Sequence, residues 1–480
     1  MKLILQIFEL RFQLLEATVK FLFEALELLV SSIPKKKEGY HASFGSASTL
    51  LSAGYKGFCL TGNKNLSIKN SYQNALVVGG TGVGKSSIVL LPSLYTMEGS
   101  FIVHDPSGEL FTKSAGPLIS RVYEVKVLNF SNSGKSAGYN PIIRAKTSSE
   151  INKLASMLVN NALGNGSKDP FWNTQAVSLL SMFITILKKQ DSKYQNLFNV
   201  RHLLNNLGGN PERIDKLFSD YADDALFSEY KSFLSYDDKV KTGVTATCKA
   251  ALQIFTDENV AKITSFDTLN FEDFRNKKVA LFIQNSVADQ KYFSVLTSLF
   301  FEQFFSYTMS RFSTENEQDI FFLIDEASSL NLPTLQLAVA NVRKHRAGIM
   351  LVVQDFNQIV HQYGKNQADA IKSNCFAKLY FTAQSLETTK ELEQILGKFE
   401  YLDKDKHKQI RSLLTSDEIR KMPIDRALLL CGHFDPIYVK LCPYYDNRSM
   451  KNFGIIPVPT SKSEIPFTEI PILPLTAFED

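Results

Sequence analysis

Short runs of apolar residues recur along most of the chain, each of strand length and each closed by turn or helix-starting residues. They are Ala75–Val78, Phe101–His104, Val122–Leu128, Val279–Ile283, Ile320–Ile324, Ile349–Val353, Ala377–Phe381 and Ala427–Leu430. The runs are continuous rather than alternating, so each predicts a strand covered on both faces, as in a parallel sheet between helical layers. Between residues 150 and 265 the pattern changes. Strand-like runs become sparse and apolar residues recur at helical spacing, as in Asn173–Lys188 and Val244–Phe255. The expected fold class is therefore α/β, a mostly parallel central sheet with an inserted all-α subdomain over 151–265.

The two ends of the chain follow other patterns. In residues 3–30 the polar positions Gln6, Glu9, Gln13, Glu16, Lys20, Glu24 and Glu27 recur every three or four residues, with Arg11 off the stripe. This predicts an amphipathic helix over 1–38 with one narrow polar face. Its charges leave no room for the roughly 20 apolar residues of a transmembrane span. Such a helix packs on its own domain, on partner helices or on a membrane surface. The acidic stripe argues against anionic lipid, although Lys35, Lys36 and Lys37 follow it. At the other end, Pro457, Pro459, Pro466, Pro471 and Pro474 punctuate residues 451–480. That segment cannot be a central strand or a helix. It is either a surface-draped tail or a partner-docking peptide.

Composition adds little. The 480 residues carry 53 basic and 49 acidic side chains, a net charge of +4. This neither demands nor excludes nucleic acid, because a basic channel can hide inside a near-neutral total. The cysteines Cys59, Cys248, Cys375, Cys431 and Cys442 form no CxxC pair, so they read as reduced thiols without a structural zinc.

The chemistry is concentrated at strand ends. After the first apolar run come Gly79, Gly80, Thr81, Gly82, Val83, Gly84, Lys85, Ser86 and Ser87, which fit G-x-x-x-x-G-K-[ST] in a strand–loop–helix setting. Backbone amides of such a loop point at phosphate oxygens. Lys85 would reach the β- and γ-phosphates of ATP, and Ser86 would hold Mg²⁺. Residues 39–150 and 266–450 then form the two parts of a RecA-like P-loop nucleotide-binding domain. In the second part, Phe321-Phe322-Leu323-Ile324-Asp325-Glu326 predicts a buried strand delivering two carboxylates. Asp325 would hold Mg²⁺ through water and Glu326 would orient or deprotonate the attacking water. Gln354 ends the next apolar run and could sense the γ-phosphate. Just before that run lie Arg343, Lys344, His345 and Arg346. Either Arg343 or Arg346 could reach a neighbouring subunit's nucleotide, and spacing does not choose between them. Asp105 lies near the nucleotide or caps the following helix, and His104 reads as a strand-end histidine.

These residues together resemble the VirD4/TraG family of type IV secretion coupling proteins. Asp105-Pro106-Ser107-Gly108-Glu109-Leu110 is similar to that family's D-P-K-G-E-L, with Ser107 in place of Lys. Tyr139-Asn140-Pro141-Ile142 resembles Y-N-P-L, and Phe171-Trp172 with Ala176 and Leu179-Leu180 resembles the start of its all-α domain. Gln354, Gln358-Ile359 and Tyr363-Gly364 match Q-x-x-x-Q-L-x-x-x-Y-G, and Asn374 and Leu396-Gly397 fall in the expected order. Arg411-Ser412-Leu413-Leu414, Asp417-Glu418 and Met422-Pro423 resemble R-x-L-L-x-x-x-E-[IV]-x-x-[LM]-P. The ordered matches run from about residue 70 to 445.

The resemblance implies an ATP-driven motor of the FtsK/HerA-like superfamily, a homo-hexamer at the cytoplasmic face of the bacterial inner membrane. It would recruit DNA and relaxase-type cargo and deliver them to type IV secretion channel components. The family usually carries two N-terminal transmembrane helices, and the charge pattern of residues 3–30 predicts no such span here; residues 3–30 are expected to dock to a membrane-embedded partner instead. The basic residue expected shortly before Gly348 is displaced by His345. Lys239, Lys241 and Lys249 in the insert are candidate DNA contacts, alongside a plain solvated face. Two other readings remain: a secretion cargo receptor that pumps little DNA, and a soluble HerA/FtsK-like translocase.

Overall fold

A computed structural model of the chain describes residues 18–20, 39–163, 170–285, 287–458, 464–466 and 468–478. The expected amphipathic helix over 3–30 lies outside the described residues except for 18–20, which are helical. Among the described residues no helix is long and apolar enough to cross a membrane.

The chain divides into two compact units, Met1–Ser43 with Glu393–Leu414, and Phe44–Leu392 with Thr415–Asp480. In the smaller unit, strands Lys398–Leu402 and Lys408–Ser412 form an antiparallel hairpin, and His41 bridges to Phe399. The sequence KFEYLDKDKHKQIRS is too polar to read as a buried strand, so this hairpin was not among the expected elements.

The larger unit is built on a nine-stranded sheet. In chain order its strands are β1 (Ala75–Val78), β2 (Ser100–His104), β3 (Glu124–Asn129), β4 (Val279–Gln284), β5 (Ile320–Ile324), β6 (Ala347–Val353) and β7 (Ala377–Tyr380). With the hairpin numbered β8 and β9, the last two are β10 (Arg426–Cys431) and β11 (Ile437–Lys440). Across the sheet the order is β11-β10-β7-β1-β6-β5-β2-β4-β3. Every neighbouring pair from β7 to β3 is parallel. β10 runs antiparallel to β7 and to β11. The continuous apolar runs are buried on both faces: Ala75–Val78, Phe101–Val103 and Ile320–Ile324 are all at most 1% exposed.

The structure corrects two strand expectations. Val122 does not start β3. It sits in a left-handed turn at φ 65 and is 85% exposed, and the strand begins at Glu124. The edge strand β11 was missed because its four residues are bounded by Pro436 and a polar end.

The helical insert lies between β3 and β4, and belongs to the same compact unit as the sheet. Its helices start where short polar side chains can satisfy free backbone N–H groups. Asn196 accepts from Asn199 N, Asp223 from Leu226 N, Asp237 from Val240 N, and Asp257 from Asn259 N and Val260 N. The joint to the sheet is polar and specific. Arg144 pairs with Asp267 at 2.7 Å and lies 3.6 Å over the Phe271 ring, while Asn140 donates to the Gln195 carbonyl at 2.8 Å. Tyr139 donates to the Gln303 side chain at 2.6 Å. The Tyr-Asn-Pro motif thus sits at the joint between the insert and the sheet.

Candidate nucleotide site

β1 ends at Val78, paired with Val353 at the end of β6, and Ile324 at the end of β5 pairs with Leu351. Gly79, Gln354 and Asp325 therefore emerge side by side from three adjacent strands, at the carboxyl edge where open α/β sheets bind ligands. The loop from Gly79 turns with left-handed backbone at Gly82 (φ 80) and Gly84 (φ 94), which a side chain would strain. Gly79 is needed for a different reason: a Cβ there would stand 2.9 Å from Phe381 and from Val83. Ser86–Leu90 opens the following helix as a widened turn, with Leu91 N–H reaching the Ser86 carbonyl, and Leu91–Thr96 continues as α-helix.

Lys85 folds over its own loop, donating to the Gly79 and Gly80 carbonyls at 2.6 and 2.8 Å. Burial lowers its pKa, while the charges of Asp325 and Glu326 pull it upward. The Asp325 carboxyl is pushed up to about 7, first by desolvation and then by the charge of Glu326, with Lys85 acting against both. A buried carboxylate held so near neutrality has room for a further positive charge, and a hard dication with oxygen ligands would supply it. Among the described residues no cluster of three or more His, Cys, Asp or Glu forms a complete metal cage. Ser86 and Asp325 would hold Mg²⁺ only together with water and phosphate oxygens, its usual arrangement.

Glu326 adopts left-handed backbone, φ 49 and ψ 47, and its N–H donates to the Asp325 side chain at 3.0 Å. Its carboxylate accepts from the Gln290 amide at 3.3 Å. Gln290 begins the helix Gln290–Met309, and sequence reasoning missed it, because a single Gln at a helix start carries no motif. Beneath the two acids, buried His104 donates from Nδ1 to the Asp325 carbonyl at 2.6 Å. Desolvation lowers its pKa to about 4, so the ring is neutral and acts as a prop. Asp105 accepts from Leu110 N and Phe111 N, capping the helix Glu109–Ser120. Its charge adds a little to the upward shift of Asp325. Gln354 is exposed at its strand end.

The family model for type IV secretory system conjugative DNA transfer matches residues 35–465. The chain belongs to this family. It is 22% identical over 424 residues to the protein VirD4 of Rhizobium radiobacter, covering 80% of this chain and 60% of that protein. To a conjugal transfer protein TraG of Escherichia coli it is 22% identical over 360 residues, covering 68% of this chain and 55% of the relative. It thus spans about three fifths of the length of the VirD4 relatives it matches. Among solved structures, the plasmid coupling protein TrwB in complex with ADP and Mg²⁺ superposes with a TM-score of 0.68 at 16% identity, over 85% of this chain and 94% of that one. The architecture is that of the TrwB fold.

In this chain the motif after Gln354 has a visible task. It lies on the helix Phe356–Tyr363, which braces the segment following Glu326. Ser328 donates to Gln358 at 2.9 Å, and Gln362 and Tyr363 donate to the Leu330 carbonyl at 2.5 and 3.0 Å. Leu332 N–H donates to the Tyr363 oxygen at 3.1 Å, and Thr334 donates through N and Oγ1 to buried Glu302 at 2.9 and 2.6 Å. Asn331 donates to Asn161 of the insert at 3.1 Å. This strap borders a cleft of about 1780 Å³, lined by Lys153, Asn161, Glu302, Asn331 and Tyr363 among others and by no residue of the Gly79–Ser87 loop.

Arg343 and Arg346 lie before the amino end of β6, at the opposite edge of the sheet from Gly79. Neither serves the nucleotide loop of its own chain. Arg346 is tied to Asp319 at 2.9 Å, and Tyr72 donates to the same carboxylate at 2.6 Å. Arg343 is exposed and donates to Gln73 at 3.3 Å. Buried Arg275 clamps the turn between them and β6 by donating to the His345 carbonyl at 2.6 Å. Of the insert lysines, Lys241 is paired with Asp238 at 2.9 Å.

Proposed function

We propose that the chain is an ATP-dependent coupling motor that recruits DNA or protein–DNA cargo and delivers it to a type IV secretion channel. The observation that carries the reading is the convergence of Lys85, Asp325, Glu326 and Gln354 at the ends of three adjacent parallel strands. The TrwB structure in complex with ADP and Mg²⁺ supports a nucleotide and Mg²⁺ as the ligands of this fold, and Gly79–Ser87, Ser86 and Asp325 are the residues that would hold them here.

Bound ATP with Mg²⁺ would supply the transferable phosphoryl group and neutralise charge on its oxygens. Lys85 exchanges the Gly79 and Gly80 carbonyls for phosphate oxygens. Glu326, steadied by Gln290, would orient or deprotonate water, and Gln354 would sense the terminal phosphate. An arginine from a neighbouring copy completes the charge stabilisation, which fits the distance of Arg343 and Arg346 from their own loop. The proposed assembly is a homo-hexamer, peripheral at the cytoplasmic face of the inner membrane, with residues 3–30 docked to a membrane-embedded partner.

The test is steady-state ATP hydrolysis with and without single- and double-stranded DNA, on the parent chain, Lys85→Ala and Glu326→Gln. Lys85→Ala should lose nucleotide binding, and Glu326→Gln should bind ATP but turn it over slowly. If Lys85→Ala hydrolyses ATP as well as the parent, the motor reading fails. Hydrolysis that DNA does not stimulate would favour a cargo receptor that pumps little.

A further inference from the structure

After the short 3-10 turn Phe453–Ile455, the described residues from 464 on form neither helix nor strand, yet the end of the chain is anchored. Glu464 accepts from Lys126 on the edge strand β3 through both carboxylate oxygens, at 3.1 and 3.0 Å. Farther on, the chain runs along the helix Leu197–Gly209 of the insert. Asn199 on that helix is fully buried and holds the passing chain by its backbone. Its side-chain oxygen accepts from Leu473 N–H at 2.9 Å, and its amide nitrogen donates to the Pro471 carbonyl at 2.9 Å.

The side chains follow the period of an extended strand. Leu473 is 4% exposed, Ile472 is 53% exposed, and Pro474 is also exposed. Pro471 and Leu475 are half-buried. On the next helix, Pro211–Tyr221, the Lys216 ammonium lies 5.3 Å from the Phe478 ring.

This contact is a built receptor. The capping residue Asn196 accepts from Asn199 N–H at 2.9 Å and from the Asn199 amide at 3.2 Å, so the amide is oriented by its own helix. The passing backbone takes the two bonds that water would otherwise make to this amide, so only a chain with its N–H and C=O in that register can replace water without loss. What Asn199 reads is an N–H and a C=O two residues apart, which any extended peptide presents. Selectivity rests on one aliphatic anchor, Leu473, and on prolines that keep the peptide extended and cheapen its ordering.

We propose that the face of Leu197–Gly209 centred on Asn199 is a docking groove for an extended, proline-containing peptide with an aliphatic anchor two residues after a proline. Residues 468–478 are its occupant, held in cis. The high effective concentration of the tethered segment keeps the groove filled until it is released.

The test uses the full chain and a fluorescent synthetic peptide with the sequence of residues 464–480. Leu473→Asp in the chain should release the segment, raising its rate of proteolytic cleavage between 464 and 478 at least tenfold. The vacated groove should then bind the peptide at least tenfold more tightly than the parent chain does. Adding Asn199→Ala should reverse that gain. Because that variant could disturb the insert, a second peptide carrying Leu473→Asp is measured on the same vacated chain, and it should not bind. If the Leu473→Asp chain binds the peptide no better than the parent, or the altered peptide binds as well as the native one, the groove assignment is overturned.

Discussion

The side-chain amide of Gln290 donates to the Glu326 carboxylate at 3.3 Å and to the Ser329 hydroxyl at 2.8 Å. It joins the start of a 20-residue helix to the residue assigned to activate water. A hydrogen bond to a charged group contributes about 1.5–3 kcal/mol. Gln290→Ala should therefore lower kcat for ATP hydrolysis by about tenfold or more while leaving KM for ATP within about threefold. Gln290→Glu should do worse, because it sets a second carboxylate beside Glu326. Unchanged turnover in Gln290→Ala would show that Glu326 is held by its own backbone alone.

Arg343 and Arg346 should separate in a stability measurement. Arg346 is 28% exposed and pairs with Asp319, which is 11% exposed and also bonded to Tyr72. Arg346→Ala leaves that carboxylate without its cation and should cost about 1–3 kcal/mol. Arg343→Ala removes only an exposed contact and should stay within about 0.5 kcal/mol. Thermal unfolding of both variants checks this. If Arg343 acts across a subunit boundary, its variant should lose ATPase activity only in the assembled state.

Neutral, buried His104 makes the nucleotide-free protein sensitive to acid. The unfolded histidine titrates near 6.5 and the folded one near 4. The stability it contributes is complete above the first value and is lost as pH falls toward the second, at about 1.4 kcal/mol per pH unit in between. His104→Asn keeps a donor for the Asp325 carbonyl but does not titrate. Denaturant unfolding in EDTA should show the parent losing stability relative to His104→Asn as pH drops from 7 to 4.5. A constant difference would mean that the folded ring titrates like the unfolded one.

Tyr363 serves the strap twice, accepting from Leu332 N–H and donating to the Leu330 carbonyl. Tyr363→Phe deletes both bonds and should destabilise the protein by about 1–3 kcal/mol. Hydrogen exchange should rise first at Leu332. An unaltered exchange rate there would show that the strap is held by Gln362 and Glu302 instead.

Much of the sheet was legible because its strands are buried on both faces, and continuous runs such as Phe321–Ile324 signal that burial directly. The loop Gly79–Ser87 and the pair Asp325-Glu326 were legible because residue order alone defines them. Gln290, His104 and Arg275 were not. Their roles depend on a side chain meeting the backbone or carboxylate of a residue remote in sequence, and nothing local records that meeting. The hairpin β8–β9 escaped for the opposite reason: its strands are polar and carry no signal of burial.

By itself the sequence determined the class of fold and the composition of the glycine-rich loop, since these follow from apolar periodicity and from local backbone demands such as the positive φ of Gly82 and Gly84. Only the tertiary structure decided which strands are neighbours. That order brings Gly79, Gln354 and Asp325 to one edge, sends Arg343 and Arg346 to the other, and lays the proline-rich end of the chain against Asn199. Strand order and docking are set by contacts between segments hundreds of residues apart, and their free energy exists only once the core that joins them has formed.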